Sequence, residues 1–234
     1  MCDNADSIEE GVTMIKNKQH KINHPIKRLI LLCIGLSVMA FGVAFSIKAA
    51  LGTSPISSVP YVTSVISGLS VGTTTIIMNF LFVLIQIVIL RKRYDWFQLL
   101  QFPSAIVFGT MIDVAEKALQ NVLFYNYFQQ WILCAIGIFL VALGISIEVV
   151  AGLVTTAGEG VVLAICKVAP VKFSNMKVLF DITLVCISVL LSFIFLWHLD
   201  GVREGTLAAA VCVGLITKLT NKPIKMLGDI LLKS

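Results

Sequence analysis

The chain has 234 residues, of which 58% are hydrophobic and 13% are charged, and its mean hydropathy is +0.95. This composition excludes an ordinary soluble domain and is typical of a polytopic membrane protein. The net charge of +5 does not indicate nucleic-acid binding, because the lysines and arginines lie at the ends of apolar segments, as membrane topology requires.

A polar segment, residues 1–27, precedes the first apolar segment and has no apolar periodicity. It is predicted to be a flexible cytoplasmic tail. The apolar segment that begins near Leu29 is about twenty residues long, and no small-residue cleavage site follows it before the next polar break. We therefore expect it to remain as the first membrane span.

Eight apolar segments follow one another, at about 29–50, 56–67, 73–90, 98–118, 130–151, 157–169, 176–197 and 205–219. Six of them are long enough to cross a hydrocarbon core about 30 Å thick as helices. The second and the sixth are too short, and they end at Gly68 and Pro170. Short, interrupted segments at matching places predict broken or re-entrant helices that line a site. The alternative is eight short spans.

The hydroxyl-rich break before the second segment has a counterpart before the sixth. A constant shift without gaps that places Leu51 on Leu153 also aligns the following pairs: Gly35 with Gly137, Gly42 with Gly144, Thr53 with Thr155, and Asn79 with Asp181. This pattern predicts a duplication. The predicted organisation is a tail at 1–27, a first membrane repeat at 28–118, an extracytoplasmic loop at 119–130, a second membrane repeat at 131–220 and a basic cytoplasmic tail at 221–234.

Charge placement favours re-entrant short segments over eight spans. If both short segments return to the side they enter from, Arg91-Lys92-Arg93 lies in the cytoplasm and the uncharged loop 119–130 lies outside. The positive-inside rule favours this arrangement, with the N- and C-termini in the cytoplasm. Three crossings per repeat would invert the second repeat relative to the first. The N-termini of the two short helices would then meet near the midplane, where their dipoles favour an anionic group.

Several short motifs resemble those of the YczE/YyaS/YitT family of bacterial membrane proteins. In the first half they are Ala50-Leu51-Gly52-Thr53-Ser54-Pro55, Gly72-Thr73, Asn79, Gln101-Phe102-Pro103 and Phe108-Gly109-Thr110-Met111-Ile112-Asp113. In the second half they are Phe173-Ser174-Asn175, Lys177, Asp181 and Arg203-Glu204-Gly205-Thr206. The resemblance covers about residues 28–220. It implies an integral protein of the bacterial plasma membrane, and it implies no particular biochemical activity.

Polar side chains at and near the two breaks are the candidate groups for binding a solute. They are Thr53, Ser54, Ser57, Asn79, Thr155 and Thr156. Polar groups inside membrane segments are costly and commonly mark a substrate or ion path. The first break carries no acidic residue, so it is the better candidate for binding an anionic group.

Two acidic residues, Glu159 and Asp181, are the candidates for coupling transport to protons or ions. Glu159 could instead neutralise the dipole of its own helix. Asp181 could instead pair with Lys177, one helical turn earlier. Glu148 is predicted to be an interfacial anchor at the end of its span, as are Lys48 and Asp113. The four glycines aligned above, which recur at the same spacing in the first span of each repeat, are predicted to allow close helix packing.

The sequence contains no recognisable metal-binding, catalytic or nucleotide-binding motif. The histidines, His20, His24 and His198, are too dispersed for a metal site, and no catalytic or nucleotide-binding motif is present. We therefore predict no enzyme activity, no cofactor and no bound metal. The sequence predicts an all-α polytopic membrane protein that is a secondary transporter of a small polar or anionic solute, coupled to protons. A small ion channel and a membrane adaptor for a partner protein are the alternatives. The expected partners are the lipid bilayer and an unidentified solute or ion, with homo-oligomerisation left open.

Overall fold

A computed structural model describes residues 24–233, and within them the chain is all-helical, with no strand. The helices are α1 Pro25–Lys48, α2 Pro55–Ser67, α3 Val71–Leu90, α4 Gln101–Leu119, α5 Tyr127–Ala151, α6 Ala157–Val168, α7 Phe173–Leu191 and α8 Glu204–Lys233. Two 3-10 stretches, Arg91–Arg93 and Trp96–Leu100, join α3 to α4, and a π-helical turn, Ser192–Leu196, extends α7. The predicted N-terminal tail lies outside the described residues up to position 23. Helix α8 continues through residues 221–233 of the predicted C-terminal tail.

Six of these helices are long and apolar enough to cross a membrane: α1, α3, α4, α5, α7 and α8. The other two, α2 and α6, have 13 and 12 residues and are too short to do so. The predicted fold class, six long transmembrane helices and two short ones, is therefore confirmed. The chain is a multi-pass membrane protein.

The short helices begin and end at residues whose backbone preferences break helices. Helix α2 starts at Pro55, whose fixed φ suits the first helical position, and it ends at Gly68, which has a φ of +72°. Helix α6 follows Gly152, which ends α5 in the left-handed conformation with a φ of +59°. It stops where Ala169 turns extended ahead of Pro170. The local sequence therefore determines where both breaks occur.

The two repeats pack together through antiparallel α1 and α5. A Cβ atom added at Gly35 would lie 3.1 Å from the carbonyl oxygen of Gly144, and one added at Gly42 would lie 2.8 Å from that of Gly137. These contacts are reciprocal, because Gly35 aligns with Gly137 and Gly42 aligns with Gly144. Such reciprocity is the property of a twofold relation between the repeats. The prediction that these glycines allow close packing is confirmed.

Each short helix packs against a long helix of the other repeat. Helix α2 lies against α7, and α6 lies against α3, in addition to contacts within their own repeats. At the centre, the side chain of Ile56 contacts the backbone of Gly158. Ile56 and Gly158 are aligned by the same shift, and their contact brings the N-terminal turns of α2 and α6 together.

The last helix of each repeat is held differently. Helix α4 packs on α3 where Gly72 and Gly109 meet, and Asp113 accepts hydrogen bonds of 2.8 Å from the N–H of Gly72 and the hydroxyl of Ser70. The carboxylate of Asp113 therefore ties α4 to the start of α3, and its predicted position at the membrane interface stays a prediction. In the second repeat Leu215 stands where Asp113 does in the first, and α8 packs mainly on α5.

Candidate functional site at the two breaks

The first break, residues 49–54, is closed by the loop that precedes α8. Thr53 is 2% exposed, and its N–H and hydroxyl both donate to the carbonyl oxygen of Gly201, at 3.0 and 3.4 Å. The N–H of Gly205 donates to the carbonyl oxygen of Leu51 at 2.8 Å. These long-range hydrogen bonds fix a backbone segment that has no regular structure of its own.

The hydroxyls at the start of α2 bond mostly to one another and to the backbone. Ser54 donates to Ser57 at 3.0 Å, and Ser58 donates to the carbonyl oxygen of Pro55 at 2.7 Å. Ser57 is buried and Ser54 is half-buried. The structure thus brings the predicted residues Thr53, Ser54 and Ser57 together in one place.

Acidic side chains outnumber basic ones beside the first break. Arg203 donates to the carbonyl oxygen of Ala50 at 3.0 Å and pairs with Glu204 at 3.3 Å. Asp200 lies in the same loop and accepts from the N–H of Gly201. Two carboxylates against one guanidinium do not make a positive pocket, so these surroundings favour a polar solute over an anionic one.

The second break, residues 152–156, lies beside a buried carboxyl group that was predicted to lie at the membrane interface. Glu148 of α5 is 5% exposed, contacts the backbone N–H of Thr156 and interacts electrostatically with Glu159. The prediction that Glu148 is an interfacial anchor is therefore wrong. The physical reason is the close approach at Gly35, because a Cβ there would lie 3.2 Å from the backbone nitrogen of Glu148. Helix α1 thus covers the end of α5.

The predicted coupling residues Glu159, in the first turn of α6, and Asp181, in the middle of α7, lie near each other. Lys177 forms an ion pair of 2.6 Å with Asp181, and the two side chains are 30% and 23% exposed. Glu159 is half-buried and interacts electrostatically with both. Among residues 24–233, no basic side chain forms an ion pair with Glu148 or Glu159.

The other predicted polar groups are placed as follows. Thr155 and Thr156 are half-buried in the second break, next to Glu148. Asn79 is half-buried in α3 and donates to the carbonyl oxygen of Thr75, one turn earlier in its own helix, at 2.9 Å. This hydrogen bond is local and does not join Asn79 to either break.

Two buried glutamines were not among the predicted site residues. Gln86 of α3 is 0% exposed and donates from Nε2 to Gln101 Oε1 and to the carbonyl oxygen of Ala157, both at 3.0 Å. Gln101, 2% exposed, is the first residue of α4. An amide within an apolar span was the signal for Gln86, because such groups seldom face lipid.

Apolar packing closes the region between the two breaks. Val59 of α2 and Val161 of α6 share a cluster with Phe82, Leu184 and their neighbours, and Ile56 covers Gly158. Two surface cavities lie elsewhere. They are shallow apolar hollows of about 440 and 210 Å³, along α1 and beside the loop before α5. Within the described chain, no three His, Cys, Asp or Glu side chains are arranged to hold a metal ion.

Comparisons with known proteins agree with part of the predicted resemblance. Residues 26–222 match the family described as "Family of unknown function (DUF6198)". Over 183 residues the chain is 27% identical to "Uncharacterized protein YyaS" of Bacillus subtilis (strain 168), covering 77% of this chain and 85% of that protein. No solved structure matches. The likeness to YyaS is supported, whereas membership with YczE and YitT stays a prediction.

Proposed function

The chain belongs to DUF6198, a family of unknown function, and we propose that this membrane protein is a secondary transporter of a small polar solute. Its solute site lies near the midplane between the N-termini of α2 and α6, and a proton drives the cycle through Glu159 and its neighbours. We place it in the bacterial plasma membrane with both termini in the cytoplasm, in keeping with the distribution of basic residues.

The relation between the repeats supports a carrier. Antiparallel α1 and α5 support an arrangement in which the second repeat enters the bilayer inverted, with α2 approaching from one side and α6 from the other. Transporters built from inverted repeats bind their substrates at the repeat interface, where broken helices present their N-termini. Ile56 against Gly158 puts the two N-terminal turns in contact. During alternating access, the N-terminal turns of α2 and α6 would separate and open the site first to one side of the membrane and then to the other.

The observation that carries the proposal is the buried carboxyl group of Glu148 beside Glu159. A carboxyl group inside a membrane protein without a basic partner is costly to ionise, and such groups commonly serve as proton carriers. Asp181 is less suited to this role because Lys177 already pairs with it. We therefore assign proton binding to Glu159 and Glu148, with the Lys177–Asp181 pair at the cytoplasmic end of the path.

The closed centre favours a carrier over a channel. A channel needs a continuous polar path, whereas Ile56, Val59 and Val161 separate the polar groups of the first break from those of the second. The adaptor alternative does not explain the buried carboxyl group, because a protein-binding surface has no need of one inside the bilayer.

The test is proton movement in proteoliposomes that contain the full chain and a trapped pH-sensitive dye. Panels of amides, polyols, amino acids and small carboxylates are added outside under an imposed pH gradient. We expect one class to produce a saturable proton flux that Glu159→Gln and Glu148→Gln each abolish. The matched control, Asp95→Asn, removes an exposed carboxylate between α3 and α4 and should leave the flux unchanged.

Two outcomes would contradict the proposal. A flux that rises linearly with solute concentration without saturating would indicate a channel. Unchanged coupling in the Glu148→Gln, Glu159→Gln double variant would remove the proton role of both residues.

A further inference from the structure

The buried glutamine pair beside the N-terminus of α6 has hydrogen-bonding capacity that the protein itself does not use. Gln86 Oε1 and Gln101 Nε2 are both buried and have no hydrogen-bond partner among residues 24–233. Three helices meet here, because Gln86 belongs to α3, Gln101 to α4 and the accepting carbonyl of Ala157 to α6.

The orientation of both amides follows from the carbonyl oxygen of Ala157. A carbonyl group only accepts hydrogen bonds, so Gln86 must present its Nε2 donor to it. The same Nε2 donates to Gln101 Oε1, which turns Gln101 Nε2 away from the bond between them. One acceptor and one donor group are thus left over, and exchanging the two ends of either amide would break an existing hydrogen bond.

Unused groups of this kind are uncommon in a protein interior. Most buried side-chain polar atoms have a hydrogen-bond partner, since leaving one unpaired is costly. Gly160 adds a steric feature, because a Cβ atom there would lie 2.6 Å from Gln86 Oε1. The missing side chain lets the Gln86 amide lie directly against the first turns of α6.

The repeat relation provides an independent sign that the position matters. The shift that aligns the repeats places Gln86 on Ser188 of α7. Ser188 is 0% exposed, and its hydroxyl oxygen also has no partner within the described part of the chain. Each repeat therefore carries an unpartnered, fully buried polar side chain at the matching place. Helices α3 and α7, which carry Gln86 and Ser188, contact each other through Phe82 and Phe180, whose ring centroids are 5.5 Å apart.

We propose that Gln86 and Gln101 bind a neutral polar group of the solute, of the carboxamide or hydroxyl class. Its acceptor atom receives a hydrogen bond from Gln101 Nε2, and its donor gives one to Gln86 Oε1. The ligand is neutral because the pair offers one donor and one acceptor and no charge, and an ionic group here would be buried without a counter-ion. That this ligand is the transported solute rests on the transport function proposed above.

The experiment uses the full chain in lipid nanodiscs, with glutamine side chains labelled with ¹⁵N and their amide signals followed by NMR. Signals of Gln86 and Gln101 are assigned from their absence in Gln86→Met and Gln101→Met. The probe is acetamide, which carries one carbonyl acceptor and an N–H donor. Acetate and methylammonium are the charged probes of similar size. The exposed Gln129 serves as an internal reference.

We expect acetamide to shift the Gln101 signal saturably and the Gln86 signal with it, while Gln129 stays in place. The charged probes should leave both signals unmoved. Acetamide without effect, together with magnetisation transfer from water to Gln101 Nε2, would show that water alone occupies the position and would overturn the proposal. Equal shifts with acetate or methylammonium would overturn the neutral class.

A steric variant avoids removing either amide. Gly160→Ala would press a methyl group against Gln86 Oε1, so we expect loss of the saturable shift while both signals remain visible. Its matched control is Gly214→Ala, since a Cβ there meets nothing within 4 Å. An undiminished acetamide shift in Gly160→Ala would show that the probe binds elsewhere, which also contradicts the assignment.

Failure of this inference is distinguishable from failure of the transport function. Uptake of radiolabelled acetamide into proteoliposomes is measured beside the NMR titration. Binding at Gln101 without uptake leaves the site standing and contradicts transport of this class. Proton-coupled flux of another solute without any shift at Gln86 or Gln101 supports the transporter and overturns the site.

Discussion

Glu148 shows how the surroundings of one residue decide its chemistry. Near the end of a span, a glutamate usually extends its carboxylate to the headgroup region. Here α1 covers it, leaving it 5% exposed and facing the N–H of Thr156. The N-terminus of a helix stabilises negative charge, whereas burial opposes it. These opposing effects, with Glu159 close by, are consistent with the proton-binding role proposed for Glu148.

Tyr94, between the two 3-10 stretches, offers a test of burial at the residue scale. It is 6% exposed, and its hydroxyl has no partner among the described residues. Removing an unpaired buried hydroxyl relieves its desolvation, so we expect Tyr94→Phe to stabilise the protein by about 1 kcal/mol. Thermal unfolding in detergent measures this. The control Tyr125→Phe alters a side chain that is 81% exposed and should change nothing.

The same residue gives a pH dependence with a definite sign. Burial, and secondarily Asp95, raises the pKa of Tyr94 above its usual value of 10.0. A raised pKa means that the folded state favours the protonated phenol. Its favourable contribution is complete below the unfolded pKa and is lost as the pH rises through the folded pKa. Wild type should therefore lose more stability than Tyr94→Phe in alkaline buffer, and equal losses would contradict the burial of the phenol.

At the scale of single elements, glycine contacts hold the α1–α5 pair together. Within a bilayer there is little hydrophobic drive between helices, so close backbone approach provides much of the packing. The carbonyl of Gly137 leaves no room for a side chain at Gly42, whereas Gly214 on α8 faces open space. The two positions therefore make a matched pair for substitution.

We expect Gly42→Ala to destabilise the protein by about 1–3 kcal/mol, because the added methyl group must push α1 away from α5. Gly214→Ala should be neutral or slightly stabilising, since alanine favours helix more than glycine does. Unfolding by denaturant in mixed micelles measures both. Equal effects of the two substitutions would contradict the close antiparallel contact.

The α3–α4 pair depends on one carboxylate as well as on glycine. Asp113 accepts from Ser70 and from the N–H of Gly72, so it caps α3 from a neighbouring helix. Replacing Asp113 by leucine, the residue at the matching place in α8, leaves these donors without their acceptor. We expect a loss of about 1–3 kcal/mol in unfolding experiments. The control Thr110→Leu, on an exposed face of α4, should have little effect.

At the scale of the whole molecule, the proposed inverted repeats make a prediction about how the chain sits in the bilayer. In that arrangement, matching loops of the two halves lie on opposite sides of the membrane. The proposed topology places the basic stretch Arg91–Arg93 and Lys172 in the cytoplasm, and Ser70, Asn126 and Asp200 outside. All five positions are suitable for single cysteines because they lie in loops or at helix ends.

We expect cysteines placed at Ser70, Asn126 and Asp200, in a background without the native cysteines, to react with an impermeant reagent added outside intact cells. Those at Lys92 and Lys172 should react only after the membrane is permeabilised. Reaction of Lys92→Cys from outside would mean that α2 crosses the bilayer. It would contradict the inverted arrangement and with it the proposed midplane site.

A second measurement at this scale addresses the central contact. In the Ile56→Cys, Gly158→Cys double variant we expect oxidation to form a disulfide, because the two positions are in contact. If the protein is a carrier, this cross-link should stop transport and its reduction should restore it. Transport that continues in the cross-linked protein would show that α2 and α6 do not separate during the cycle.

The sequence by itself determined the class of the protein, which six helices are long enough to span a membrane and the positions of the two breaks. These depend on local composition: an apolar run of sufficient length must become a helix in lipid, and Pro55, Gly68, Gly152 and Pro170 lie where the short helices begin or end. The close contact of α1 and α5 was also predictable, because the aligned glycines lie where these two backbones approach.

Only the tertiary structure decided which polar side chains are buried and which of them meet. Glu148 looked like an interfacial residue because it lies near the end of its span, and only the packing of α1 against it shows otherwise. Gln86 and Gln101 belong to different helices, and their pairing depends on the carbonyl of Ala157, far away in the chain. Burial and hydrogen bonding across helices are set by how the repeats pack, which no local pattern encodes.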